Sequence, residues 1–322
     1  MKTKAITEGA LISAIAVILA LLCYYVPFMI ILYIFIPVPI VVLALRQGMP
    51  PAVLSSIAAS FILFFLIDAM TALTFALYLV LVGCSLGWCY WKKKDGPVRM
   101  GVAYGSVLVT ITVVLIVYQV TTGVAYVDEL VKEFTAIGSQ TVQTYQTMGV
   151  FTADQLSQIS STMDQLMHNI GLIFPSAFLM APFMVGWALV VMTDTVLKRT
   201  GHSIVPLNKL SHWQAPTSLK GFLLIIITFV LVVQVFQISA VPEIYKVTLM
   251  EIATFGYGVM GLSFIFWFIY RNKPKENMGV KTLIVILTVL VSPIMTIVTM
   301  IGVVDLYTSL RKVIIMKDGE KK

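Results

Sequence analysis

Apolar stretches of about 20 residues alternate with short charged joints along nearly the whole chain, and a helix needs about that length to cross the hydrocarbon core of a bilayer. A helix also satisfies all of its backbone hydrogen bonds internally, as lipid requires. The pattern therefore predicts an all-α fold, a polytopic transmembrane helical bundle in contact with the lipid bilayer. Eight spans are predicted, at residues 5–25, 26–45, 51–67, 70–91, 101–126, 170–197, 221–240 and 245–270.

The last apolar region, residues 282–310, contains the pair Ser292-Pro293 near its middle. Proline has no backbone N–H, so a helix is expected to break there. We expect a C-terminal broken apolar hairpin that returns the tail to the cytoplasm, because basic clusters resist translocation. A single span with an external tail is the alternative. The basic residues of this tail are Arg311, Lys312, Lys317, Lys321 and Lys322.

Composition favours a single membrane domain over residues 1–322. Hydrophobic residues make up 59% of the chain and charged residues 11%, whereas soluble domains are about 25% charged. The net charge of +7 is no sign of nucleic-acid binding, because the basic residues lie in the joints rather than in a continuous stripe. Most of the 22 basic residues fall in cytoplasmic joints if the N-terminus is cytoplasmic, and the positive-inside rule favours that orientation.

One joint, residues 127–169, is long enough to have its own structure, and its composition shifts to Gln, Thr, Ser and acidic residues. Its apolar residues recur at helical spacing, and Thr152 with Gln155 matches a capping box at the start of a second helix. We predict an extracytoplasmic antiparallel helical hairpin between the fifth and sixth spans. Its arms either pack on each other or on the membrane, or they dock a partner protein or cap a cavity.

No catalytic or nucleotide-binding motif occurs in the sequence, so we expect no enzymatic activity and no cofactor. The glycines of the segment FGYGVMG, residues 255–261, lie within a predicted span and indicate close helix packing. Polar groups in or near the spans are the better candidates for function, because burying them in lipid is costly. We predict that a ligand cavity contains several of the residues Gln119, Gln234, Gln237 and Glu251.

Other polar residues are candidates for structural or interface roles. Asp194 lies one turn before Lys198, a spacing that favours an ion pair within one helix. Asp305 follows an apolar run and precedes Arg311, so it is expected to anchor the terminal helix or to pair with a basic loop. In the predicted cytoplasmic loop at residues 198–220, Trp213 is expected on a short helix at the membrane interface, where indole rings are favoured.

The sequence resembles two families. The segments GALISAIAVILA and FIPVPIVVLALRQG, in the first third of the chain, are similar to substrate-binding subunits of energy-coupling-factor transporters. Over its whole length the chain more closely resembles the YybS-like family of bacterial multispanning membrane proteins. That resemblance implies a helical fold in the bacterial cytoplasmic membrane and no particular substrate. It is carried by Leu210, Trp213, Pro216, Gly302, Asp305, Tyr307 and Arg311.

Two functions are consistent with these observations. The first is a transporter-like protein that binds a small-molecule or lipid-like ligand without catalytic chemistry of its own. The alternative is a membrane scaffold or regulator whose external hairpin at residues 127–169 docks an envelope or sporulation partner. A closed polar cavity would favour the first function, and dispersal of the polar groups toward lipid interfaces or protein grooves would favour the second.

Overall fold

A computed structural model of the chain has the predicted all-α polytopic fold. The structure describes residues 3–148, 151–271, 277–308, 310–311 and 314, and none of these residues forms a strand. The chain divides into two compact units. The first contains residues up to 207 except 172–176, and the second contains 172–176 and the residues from 208 onward. The single domain over residues 1–322 stays a prediction.

The first unit is a bundle of α-helices with one 3₁₀ segment and one π-helical segment. Its 3₁₀ helix is Pro27–Phe35 and its π-helix is Tyr78–Gly83. The α-helix α8 is 47 residues long, and residues 172–176 within it group with the second unit. The α-helices are α1 (Thr3–Tyr25), α2 (Val38–Gln47), α3 (Met49–Leu66), α4 (Ala69–Leu77), α5 (Cys84–Trp91), α6 (Gly96–Thr122), α7 (Tyr126–Met148) and α8 (Ala153–Arg199).

Seven helices in the described part of the chain are long and apolar enough to cross a bilayer. They coincide with seven of the eight predicted spans, so the helices that the apolar pattern predicted are present at these positions. The seven are Thr3–Tyr25, Met49–Leu66, Ala69–Trp91, Gly96–Thr122, Asn169–Arg199, Thr217–Val235 and Glu243–Tyr270.

The predicted second span, residues 26–45, is not a continuous membrane-length helix. It consists of the 3₁₀ helix Pro27–Phe35 followed by the short helix α2. Pro37 and Pro39 lie at the junction, and each lacks the N–H that a continuous helix requires. Helix α2 is buried from Val38 to Ala44, so its apolar side chains pack in the core of the first unit. The 3₁₀ part differs, since Phe28 is 95% exposed and Ile31 is 68% exposed. An internal helix such as α2 and a span facing lipid give the same apolar pattern.

The predicted hairpin is present as two helices, and its external location stays a prediction. Helix α7 and the first turns of α8 form its arms, and the capping box predicted at Thr152 and Gln155 is confirmed. Gly138 is the buried residue of α7; a Cβ placed there would lie 2.7 Å from Cγ of Met163 on the other arm. Residues 149–150, between the two arms, lie outside the described residues.

The second unit contains α9 (Thr217–Val235), α10 (Glu243–Tyr270), α11 (Met278–Leu290) and α12 (Ser292–Thr308). The segments Gly279–Thr288 and Pro293–Thr308 are bent by 104° relative to each other, so the predicted break at Ser292-Pro293 is confirmed. Tail residues Lys312, Lys317, Lys321 and Lys322 lie outside the described residues.

Close helix packing in the second unit depends on glycines, as the FGYGVMG segment predicted. A Cβ on Gly256 would lie 2.9 Å from a methyl group of Leu223 on α9. On the facing helices α10 and α12, Gly261 lies against the Val298 carbonyl and Gly302 against the Tyr257 carbonyl. A side chain at either position would separate the backbones, so glycine permits their approach.

Candidate functional site

A buried arginine–aspartate pair lies in the first unit. Arg99, near the start of α6, donates from Nη1 to Oδ1 of Asp194 on α8 at 2.6 Å. The Tyr90 hydroxyl donates to the same oxygen at 2.5 Å, and the guanidinium lies 4.7 Å from the Tyr90 ring centroid. Arg99 is 2% exposed and Asp194 is 4% exposed. Charges buried to this degree depend on each other, because removing one leaves the other uncompensated.

This pair also holds the beginning of the loop at residues 198–220. Asp194 Oδ2 accepts a hydrogen bond from the Leu207 N–H at 2.7 Å, and Arg99 Nη2 donates to the Val205 carbonyl. The predicted pair between Asp194 and Lys198 is therefore wrong. Lys198 is exposed near the end of α8, whereas the Asp194 carboxylate turns inward, where a buried cation stabilises it more than a solvated one can.

Sequence reasoning missed the partners of Asp194. Arg99 lies 95 residues away along the chain, and its position after a lysine cluster indicated an ordinary cytoplasmic loop cation. One available signal was that Arg99 follows the helix-initiating sequence Gly96-Pro97 and so belongs to the first turn of a span. An arginine there and an aspartate near the end of another span are candidates to pair, since intramembrane charges usually find partners.

A second buried pair lies in the second unit. Arg311 is 8% exposed; its Nε donates to Asp305 Oδ2 at 3.1 Å, and its Nη2 lies 3.0 Å from the same oxygen. Arg311 Nη2 also donates to Ser263 Oγ on α10 at 3.0 Å, and Nη1 donates to the Ser211 carbonyl at 3.3 Å. The structure thus brings together Asp305 and Arg311, two of the predicted structural or interface residues.

The third such candidate in this unit, Trp213, follows the short 3₁₀ helix Leu210–His212. Its carbonyl accepts a hydrogen bond from Ser263 Oγ at 2.9 Å, and its ring N–H donates to the Asn208 carbonyl at 2.9 Å. Ser263 therefore links the loop backbone to the Arg311 guanidinium. The second half of the loop is fixed on α10 by this network, which supports a structural role for the side chains involved.

Beside the second pair lies a cavity of about 170 Å³, which we call the Lys220 cavity. Its polar wall contains two cations, a carboxylate and an amide, and its apolar wall contains three aliphatic side chains. No cluster of three or more His, Cys, Asp or Glu residues able to hold a metal ion occurs in the described part of the chain. The lining residues are Gln214, Ala215, Lys220, Met260, Asp305, Leu306 and Arg311.

Two tyrosines fix the backbone at Lys220. The Tyr307 hydroxyl on α12 donates to the Lys220 carbonyl at 2.9 Å. The hydroxyls of Tyr257 and Tyr307 are 3.1 Å apart, and because Tyr307 has already donated its proton, Tyr257 is the donor in that contact. Lys220 is in the first turn of α9, so this chain of hydrogen bonds ties α9 to α10 and α12 at one rim of the cavity.

Comparison with known proteins places the chain in a family. Residues 14–306 match the family described as predicted membrane protein, DUF2232. The chain belongs to this family. Among curated relatives, "Uncharacterized protein YybS" of Bacillus subtilis (strain 168) is 22% identical over 311 residues, which cover 95% of this chain and 96% of that protein. No solved structure matches the chain.

Membership of the DUF2232 family confirms the predicted YybS-like membrane family and an integral membrane protein. The matched region includes Arg99, Asp194, Lys220 and Asp305, while Arg311 lies beyond its end. The weaker resemblance to substrate-binding subunits of energy-coupling-factor transporters stays a prediction. The family assignment therefore supports an integral membrane protein, and any function has to be argued from the site.

The predicted ligand residues line neither the Lys220 cavity nor a groove on the hairpin. Gln119 is exposed near the end of α6, Gln234 is exposed near the end of α9, and Gln237 is exposed just beyond α9. Glu251 is half-buried on α10. Their role in ligand binding stays a prediction, and the Lys220 cavity is lined by other side chains.

Proposed function

We propose that this protein is a transporter-like, non-catalytic ligand-binding protein of the bacterial cytoplasmic membrane, with both termini cytoplasmic. The Lys220 cavity carries this proposal. Its polar wall is assembled from α9, α12, Arg311 and the preceding loop, and the buried Arg311–Asp305 pair holds it in place. A prearranged polar cavity with an apolar wall is the usual form of a small-molecule site.

The chemistry of the lining favours binding over catalysis. Asp305 is the carboxylate of the cavity, and both of its oxygens accept hydrogen bonds from Arg311 Nε. This carboxylate is therefore already bound to a guanidinium and makes its contacts within the protein. Lys220 and Gln214 supply hydrogen-bond donors. The cavity therefore presents fixed charges and donors to a ligand.

Native mass spectrometry of the full-length protein, purified in mild detergent, tests this proposal. The wild type is expected to retain a small molecule, and Ala215→Phe is expected to lose it because the larger side chain fills the cavity. Ala240→Phe, at an exposed position away from the cavity, is the matched control and is expected to keep the ligand. A wild type that carries a stoichiometric protein partner and no small molecule contradicts the proposal.

The hairpin supports a second candidate function, docking of a partner protein outside the membrane. Phe134 is 47% exposed and Ile137 is 59% exposed, one turn apart on α7. An open groove of about 410 Å³ runs along the first turns of α8. Apolar side chains exposed together are a common feature of interaction surfaces. The groove is lined by Phe151, Gln155, Gln158, Ile159, Thr162 and Met163.

Deletion of residues 127–169, replaced by a short linker, tests the docking function. Membrane insertion is expected to survive, since the deletion removes only the first residue, Asn169, of one membrane-length helix. A partner captured by chemical crosslinking is expected to be lost. The finer variant Phe134→Ser with Ile137→Ser should also lose the partner, while the exposed control Lys132→Ser should keep it. An unchanged crosslinking pattern after the deletion contradicts a docking role.

A further inference from the structure

We propose, building on the ligand-binding function above, that the Lys220 cavity binds a phosphate group carried by an anionic ligand. The cavity contains two cations, Lys220 and Arg311, and one carboxylate, Asp305. The lining therefore has a formal net charge of +1, from two cations and one carboxylate. An anion compensates this charge, whereas a cation would add to it.

Hydrogen-bond donors exceed acceptors in the cavity. A guanidinium has five N–H donors. Hydrogen bonds to Asp305, Ser263 and the Ser211 carbonyl use the N–H at Nε, one at Nη2 and one at Nη1 of Arg311. One N–H at each of Nη1 and Nη2 therefore has no hydrogen-bond partner among the described residues. Both Asp305 oxygens are engaged by that arginine. A ligand therefore meets mainly donors, and it must itself supply acceptors.

Lys220 supplies the strongest of these donors. Its ammonium makes no hydrogen bond or ion pair within the described residues, while its carbonyl is held by Tyr307. The backbone of Lys220 is thus fixed, and its ammonium charge is available to a ligand. Lysine binds phosphate groups as a point charge through its three N–H donors.

The N-terminus of α9 adds positive potential beside the cavity. The helix begins at Thr217, directly after the lining residues Gln214 and Ala215, and Pro216 at the N-cap supplies no side-chain hydrogen bond to it. The first N–H groups of a helix have no partner within the helix and favour an anion. The positive potential of these N–H groups has the same sign as the charges of Lys220 and Arg311, so it adds to their attraction for an anion.

The size of the cavity limits the ligand. A volume of about 170 Å³ is far above the ~10–15 Å³ that one water needs and below the ~300–1,000 Å³ of sites for drug-sized molecules. A phosphate group with part of its substituent suits this volume, and Ala215, Met260 and Leu306 provide an apolar wall for that substituent. The group could belong to a phospholipid headgroup or to a free phosphate.

Isothermal titration calorimetry of the full-length protein in a neutral maltoside detergent tests the proposal. The probes are dioctanoyl phosphatidylglycerol, inorganic phosphate, and dioctanoylglycerol as the lipid without phosphate. Wild type is expected to bind at least one phosphate-bearing probe, more weakly at higher salt. Binding of both probes with mutual competition indicates the phosphate group alone, and binding of the phospholipid only indicates a headgroup.

Two lysine variants separate charge from shape. Lys220→Gln is expected to weaken phosphate binding roughly 10-fold or more, because it removes a charged hydrogen-bond donor, and Lys220→Arg is expected to restore most of it. Lys246→Gln, the same substitution on α10 away from the cavity, should leave binding unchanged. If Lys220→Gln does not fold, Gln214→Glu at an exposed lining position is expected to weaken binding through charge repulsion.

Equal affinity of the wild type and the folded Lys220→Gln variant overturns the phosphate proposal, and so does binding of dioctanoylglycerol alone. Failure of both phosphate-bearing probes overturns it as well. If a phosphate-free molecule then copurifies with the wild type and is lost in Ala215→Phe, the ligand-binding function still stands. If no small molecule copurifies either, both proposals fall together.

Discussion

Replacement of the buried Asp194 carboxylate by Asp194→Ala is expected to destabilise the protein by about 3–5 kcal/mol. The carboxylate accepts hydrogen bonds from Arg99 at 2.6 Å, Tyr90 at 2.5 Å and the Leu207 N–H at 2.7 Å. Three hydrogen bonds to a charged group, at about 1.5–3 kcal/mol each, set an upper bound on the stability lost in Asp194→Ala. The expected cost is lower than that bound because bonds sharing one acceptor are not additive.

A double-mutant cycle isolates the charge pair. Asp194→Ala leaves Arg99 buried with the Val205 carbonyl as its hydrogen-bond acceptor among the described residues. Arg99→Met in the same chain removes that uncompensated cation. The loss of unfolding free energy in the double variant should therefore be smaller than the sum of the losses in the two single variants. The expected coupling energy is about 2 kcal/mol or more.

Reversible unfolding in mixed micelles, followed by circular dichroism, measures these free energies. Limited trypsin digestion adds a local readout, because release of Leu207 from Asp194 should speed cleavage after Lys209. The exposed Glu133→Ala on α7 is the control and should change stability by no more than about 0.5 kcal/mol. A cost below about 1 kcal/mol for Asp194→Ala, or strict additivity in the cycle, would refute the reasoning.

Three further predictions concern helix packing, capping and topology. Gly302→Ala should lower the free energy of unfolding by about 1–3 kcal/mol in the same assay, because the added Cβ would meet the α10 backbone. Gly221→Ala is the control and should lower it much less, because the space around Gly221 is open. Asp68 caps α4 by accepting the Thr71 N–H, which lowers the pKa of Asp68. Above about pH 4, Asp68→Ala should therefore lower the free energy of unfolding by about 0.5–2 kcal/mol. The difference in stability between wild type and variant should disappear as the pH falls through the lowered pKa of Asp68. In a background without native cysteines, Lys93→Cys should react with an impermeant thiol reagent only after cells are permeabilised, and labelling on intact cells would invert the topology.

Local patterns predicted the elements whose causes are local. Apolar length located seven crossings, since the thickness of the bilayer selects helix length directly. Ser292-Pro293 located the bend of the last apolar region because proline removes a donor wherever the fold places it. Thr152 and Gln155 located the start of α8 because both halves of a capping box lie within one turn.

The same rules failed where two different causes produce the same pattern. Within residues 26–45, the helix α2 packs inside the first unit, and apolar length cannot distinguish burial in protein from exposure to lipid. Spacing suggested Lys198 as the partner of Asp194, yet the fold provides Arg99 from another helix. Polar side chains near the spans suggested Gln119, Gln234 and Gln237 as ligand residues; these side chains are exposed, and their role in binding stays a prediction.

The sequence by itself determined a helical membrane protein, the positions of most crossings, the two-helix hairpin and the break near the C-terminus. Each of these depends on residues within a few turns of one another. Only the tertiary structure decided which buried charges pair and where a polar cavity forms. Arg311 meets the Ser211 carbonyl across 100 residues of chain, and a contact at that separation is set by how helices pack rather than by any local pattern.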